Sequence, residues 1–228
     1  MEFAIVIVFL IIVLTVLALI YKFSMKEVKA MAENKELDDI IEKMPSNVDI
    51  CKSILKKLNN ETVTIEEDEK AGNCLYIAMT DKILIGNLRK SYTRVQTIAH
   101  ECLHSIQDKR ILKFNFIYSN IYLIFFAIIG ILALAKVLPY KSMFLSLLII
   151  ASYVYYFVRS YLENDAMTKA RFLAKEYIQE SNILNSQEID KVVNQYDKLN
   201  NLGIKLTNYD LMFRTVVKII VFAFICLF

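Results

Sequence analysis

Two patterns of apolar positions divide the chain. Residues 3–21, 114–135 and 142–158 are uninterrupted by charge and rich in Ile, Val, Leu and Phe, each near the ~20 residues a helix needs to cross a bilayer. A fourth run, 211–228, has the same character in its second half but carries Arg214 and Lys218 in its first. Side chains of that length can snorkel towards headgroups while 219–228 stays in lipid. Between these runs apolar residues alternate with polar ones. Their spacing predicts a helix over 26–44, ended by Pro45, and another over 47–58 with Ile50, Cys51, Ile54, Leu55 and Leu58 on one face. Residues 62–65, 74–79 and 82–85 are β-branched or aromatic, are broken by Gly72 and Thr80-Asp81, and read as short strands. No Gly or Pro occurs from 88 to 129, so a helix begins near Ser91 or Thr93. On it Val95, Ile98, Ala99, Cys102 and Ile106 recur at i, i+3, i+4, i+7 and i+11, the spacing of a buried stripe.

Composition agrees with a membrane protein. Hydrophobic residues make up 56% of the 228 and the mean hydropathy is +0.41, too apolar for an ordinary soluble domain. The first run has Glu2 and no basic residue before it and no small-residue cleavage site after it, so it predicts an uncleaved anchor. Lys22, Lys26 and Lys29 follow that run; Lys109, Arg110 and Lys113 precede the second; Arg159, Lys169 and Arg171 follow the third. Only Lys136 and Lys141 oppose them, and the balance places both polar segments in the cytoplasm. The expected fold is mainly α, a multi-pass α-helical membrane protein with a small α+β zincin-like cytoplasmic domain. Its parts are an N-terminal anchor (1–21), a cytoplasmic α+β segment (22–113), a transmembrane hairpin (114–158), a cytoplasmic helical segment (159–210) and a C-terminal transmembrane helix (211–228). A net charge of +3, spread along the chain, implies no nucleic-acid partner. Cys51, Cys74, Cys102 and Cys226 form no C-x-x-C pair and are expected to be free thiols.

The chemistry concentrates in one pentad. The chain has two histidines, and both lie in His100-Glu101-Cys102-Leu103-His104. An i, i+4 pair puts both imidazoles on one face of a helix, where they can hold one Zn²⁺, and Glu101 beside them can act as general base on a zinc-bound water. Cys102 points about 200° away from His100 and belongs to the apolar stripe. A catalytic zinc needs a third protein ligand. The metzincin pattern would require Gly at 107 and a ligand at 110, which are Gln107 and Arg110. With no further histidine the ligand is a carboxylate, and Glu163 is best placed, just past Arg159 at the cytoplasmic end of the third run. A glutamate there is also an ordinary solvated charge. Straight helices would separate Glu163 from the imidazoles by roughly 13–15 Å, so a bend or break is expected between residues 107 and 115. Asp165 has two readings: a carboxylate that orients an imidazole, or the i, i+4 ion-pair partner of Lys169. Ala166 and Ala170 share a face with Glu163 and would let the pentad helix approach closely.

The stretch from Thr97 to Gln107 resembles the A-A-H-E-x-x-H-x-I-Q core of the YugP-type membrane zinc metallopeptidases. Glu163-Asn164-Asp165-Ala166-Met167-Thr168-Lys169-Ala170 is similar to their downstream E-x-D-A-x-x-x-A segment, and 183–189 to the segment after it. The resemblance covers the chain from about Gly72 onward, plus an amino-terminal anchor. It implies a zinc-dependent neutral peptidase of the membrane with His100, His104 and Glu163 as ligands and Glu101 as catalyst. Two positions depart from the family: Leu103 stands where a glycine is usual, and residues 73–77 lack its D-H-Y-D-P-like sequence.

The expected function is therefore a membrane-embedded zinc endopeptidase, with Zn²⁺ as cofactor, membrane-associated or juxtamembrane protein substrates, and lipid as its surroundings. An oxyanion partner would come from residues such as Tyr161 or Arg171. The rival is a non-catalytic membrane scaffold with a structural or vestigial zinc site. A transporter is disfavoured because the first three runs contain no charge.

Overall fold

The structure is a computed structural model and describes residues 1–21, 33–68, 70–88 and 91–228. In chain order its elements are α1 (Glu2–Tyr21), α2 (Lys35–Ile41), α3 (Asn47–Lys57), β1 (Thr64–Glu67), β2 (Leu75–Ile77), β3 (Lys82–Ile85), α4 (Arg94–Ile106), α5 (Lys109–Leu134), α6 (Lys141–Ser181) and α7 (Ser186–Leu227). The chain is mainly helical with one small sheet. It divides into two units, one of residues 1–23, 113–161 and 205–228, the other of 24–112 and 162–204.

In the first unit, α1, α5 and α6 are long and apolar enough to cross a membrane. Their packing core joins Tyr122, Ile129 and Ala133 of α5 with Leu145 and Leu148 of α6 and Ile219, Phe222, Ala223 and Cys226 of α7, while Phe3, Val6, Ile7 and Leu10 of α1 pack against it. The loop between α5 and α6 holds Lys136 and Tyr140 at positive φ. Its sharp reversal makes the two helices antiparallel neighbours. Lys218 does more than the snorkelling its sequence position suggests: its ammonium lies 5.1 Å from the Tyr122 ring centre and 5.8 Å from that of Tyr155, a cation–π arrangement. Arg214 pairs with Asp210 one turn away.

The second unit is built around α4. Its sheet has the order β1-β3-β2, with β1 parallel and β2 antiparallel to β3, so β2 is an edge strand. Ile83 and Ile85 of β3 are buried, as the alternation of a strand with one covered face requires. Val95, Ile98, Ala99 and Cys102 are buried as the stripe predicts, but Ile106 is 47% exposed. The helix ends there, and Gln107 turns into extended backbone (φ −65°, ψ 161°), so the stripe loses its last position. Cys51 of α3 meets Cys102 with the sulfurs 3.6 Å apart, and all four cysteines are free and buried.

The first polar helix is shorter than its pattern suggests. Residues 22–32, with Lys22, Lys26 and Lys29, lie outside the described residues. Asn34 is extended (φ −133°) and its side chain accepts the Leu37 N–H, which caps the start of α2. At the other end α2 stops at Ile41 instead of reaching Met44. The buried guanidinium of Arg94 there donates to the carbonyls of Ile41, Met44 and Pro45 and to Asn47 Oδ1, at 2.8–2.9 Å. These bonds satisfy carbonyls that a continuing helix would otherwise pair. In the sheet, β1 begins two residues later than its β-branched run and β2 is confined to 75–77.

Candidate metal centre

Helix α4 is buried on two sides, which is unusual for a segment carrying His, Glu and Gln. The apolar stripe faces α3 and the sheet. On another face Glu101 and His104 are also buried, and they require partners there. Glu101 finds one in the edge strand: the Tyr76 N–H donates to its Oε2 at 2.6 Å. Burial raises the Glu101 pKa, an effect that the neighbouring His100 and His104 and the Tyr76 N–H partly oppose.

The chain breaks between α4 and α5 at Gln107-Asp108, within the interval where helix length demands it. Beyond the break, the Lys109 ammonium donates to Tyr76 Oη and Asp81 Oδ1, both at 2.6 Å, while Tyr76 O–H donates to Asp81 Oδ1 at 2.7 Å. The start of α5 is thereby tied to the β2–β3 hairpin. The Asp81 carboxyl loses solvent, which acts to raise its pKa, but Lys109 and the Tyr76 hydroxyl outweigh this and hold it below the usual range.

Glu163 comes from α6. Ala166 and Ala170, at i+3 and i+7 from it, are buried, and their small side chains leave room for close approach on that face. His100 Nε2 and His104 Nε2 are 3.0 Å apart. Glu163 Oε2 lies 3.3 Å from the first and 3.7 Å from the second. The three residues form a group able to hold a metal ion, with all donor atoms within 4.8 Å of one another. A point equidistant from the three atoms, in their plane, lies about 2 Å from each, close to the bond length of about 2.0–2.2 Å that Zn²⁺ keeps to imidazole and carboxylate. The donor set therefore fits a small divalent ion. Burial disfavours the His104 imidazolium, but Glu163 and Glu101 more than compensate, and without an ion its pKa stands above the ordinary value.

Of the two readings of Asp165, the ion pair with Lys169 is present. Its Oδ1 pairs with Lys169 Nζ at 2.6 Å, and its Oδ2 accepts from Gln107 Nε2 at 3.1 Å. It reaches no imidazole directly; Gln107 stands between. Gln107 Nε2 also donates to the Leu162 carbonyl at 2.9 Å, and its Oε1 lies 2.8 Å from His104 Nδ1. In the sequence Gln107 excludes the metzincin pattern and closes the family-like core, but carries no role of its own. Its position three residues after His104, on the same helical face, was the available signal. Of the two residues considered for oxyanion contact, Arg171 is paired with Asp197 at 3.1 Å and stacked over Phe172, and Tyr161 is exposed. No family model, curated protein or solved structure matches this chain.

Proposed function

We propose that the chain is a membrane-embedded zinc-dependent endopeptidase acting on membrane-associated or juxtamembrane protein substrates. The observation that carries this reading is the gathering of His100, His104 and Glu163 donors around one point, with the buried carboxylate of Glu101 next in sequence to His100. Two imidazoles and a carboxylate make a three-ligand set, the number that catalytic zinc sites use so that solvent can take the fourth position. The likeness of residues 97–107 and 163–170 to the YugP-type metallopeptidases supports the same conclusion.

When bound, zinc supplies Lewis acidity, lowering the pKa of a water towards 7 and polarising a carbonyl. The remaining work falls to the chain's own groups. Glu101 accepts the proton of the attacking water and passes it to the leaving amine. The Tyr76 N–H steadies one carboxylate oxygen during both transfers. His100 and His104 keep their spacing because α4 is clamped between the sheet, α3 and α6. The basic residues flanking the second and third apolar runs support a cytoplasmic active site.

The scaffold reading is less favoured because a closed structural site takes four protein ligands, and the group among the described residues has three. The test uses the full chain in detergent, measuring bound zinc and hydrolysis of a fluorogenic peptide library. Glu101→Gln should retain the metal and lose 10²–10⁴-fold in rate, the usual contribution of a general base. Equal hydrolysis by both proteins, or none by either with zinc bound, would defeat the proposal.

A further inference from the structure

We propose that Gln107, itself oriented by Asp165, is a positioning residue that holds His104 in its Nδ1–H tautomer. Nε2 then presents a lone pair to the metal. The inference rests on the metal reading above and extends it to residues that touch no ion.

The direction of the hydrogen bonds follows from what each atom can do. The Gln107 amide nitrogen faces the Leu162 carbonyl at 2.9 Å and Asp165 Oδ2 at 3.1 Å. A main-chain carbonyl and an ionised carboxylate only accept. A flipped amide would bring its oxygen against both of them and leave three oxygens without a proton between them. The amide oxygen must therefore face His104 Nδ1, 2.8 Å away. That oxygen has no hydrogen either, so the proton belongs to the imidazole. In a neutral ring a protonated Nδ1 leaves Nε2 bare. Nε2 is the atom 3.0 Å from His100 Nε2 and 3.7 Å from Glu163 Oε2.

Asp165 keeps the relay from turning over. Its Oδ2 accepts from the Gln107 amide at 3.1 Å. Lys169 holds its other oxygen at 2.6 Å. The arrangement does the work of a carboxylate bonded directly to a metal-bound imidazole, with an amide interposed. It became possible only because α4 ends at Ile106, which turns the Gln107 side chain towards α6 and away from the solvent beyond the helix.

Two measurements on the full chain in detergent test this. The first is imidazole ¹⁵N NMR of metal-free protein at alkaline pH. With two histidines in the chain, His100→Ala assigns both rings. His104 should rest as Nδ1–H in wild type and move towards Nε2–H in Gln107→Met. A wild-type His104 found as Nε2–H overturns the proposal. The second is zinc affinity by competition with a chromophoric chelator. Gln107→Met should weaken binding 10–100-fold, the usual effect of removing such a partner. A drop in affinity with the His104 tautomer unchanged in Gln107→Met assigns Gln107 to stapling Leu162 alone and overturns the positioning role. Zinc bound equally by wild type and Gln107→Met overturns this inference and spares the metal site. A wild type that takes up no zinc overturns both.

Discussion

Shortening Glu163 by one methylene is the most direct probe of the centre. Glu163→Asp withdraws the carboxylate along its side chain by about 1.5 Å, one carbon–carbon bond. The oxygen now 3.3 and 3.7 Å from the two imidazole nitrogens would recede from about 2 Å to about 3.5 Å from their common point, beyond any Zn–O bond. The backbone has little freedom to follow. Ala166 and Ala170 are buried on the same face, and Gln107 holds the Leu162 carbonyl. A zinc site binds with roughly 10–16 kcal/mol in all, or about 2.5–4 kcal/mol for each of four donors. Losing one should therefore weaken binding by about 10²–10³-fold. Glu163→Gln, which keeps the length and loses the charge, should fall between that variant and wild type. The assay is chelator competition on metal-stripped protein, with circular dichroism to confirm that each variant keeps its helices. If Glu163→Asp titrates like wild type, the third donor lies elsewhere and the proposed centre is wrong.

Three further perturbations test the surrounding frame. Gly86→Ala would place a Cβ 2.4 Å from the Asn73 carbonyl oxygen and 2.6 Å from that of Ala71; both are backbone, so a loss of about 1–3 kcal/mol is expected, read as a lower thermal midpoint in detergent. Arg94→Lys keeps the charge but cannot reach four acceptors as a planar fork, and should cost about 2–4 kcal/mol by leaving buried carbonyls unpaired; an unchanged midpoint would contradict the role given to Arg94 in ending α2. For Asp81, whose folded pKa is depressed, the Lys109 and Tyr76 contacts stabilise the fold above the unfolded pKa of about 3.9, and that contribution is lost as pH falls through the lower folded value. The pair is part-exposed, so Asp81→Asn, suited to the positive φ of 50°, should cost at most about 1 kcal/mol near neutrality and nothing in acid; a gap between the two proteins that widens on acidification would reverse the sign argued here.

Much of this organisation is legible in one dimension, and what is not has identifiable causes. The apolar runs reveal helices long and apolar enough to cross a membrane because length and composition are read from the sequence directly, whatever packs on them. The third candidate donor emerges by elimination, since two histidines exhaust the imidazoles, and a break between 107 and 115 follows from helix rise once Glu163 is required to meet them. Arg94 reads as a charge at a helix start, yet its acceptors lie in the turn after α2, fixed by tertiary packing. Ile106 fits the stripe but not the core, because a stripe continues only while its helix does. Gln107 gains its partners only once the break exists and α6 is in place.

The split origin of the donors has a practical corollary. Two come from a single turn of α4, and the third arrives on another helix. If the group holds an ion as proposed, ion retention reports whether α4 and α6 have docked in register, since a slip of one residue, about 1.5 Å, removes a donor. Chelator sensitivity then becomes a gauge of assembly, and a metal-free preparation can be correct in helix content while wrong in tertiary arrangement.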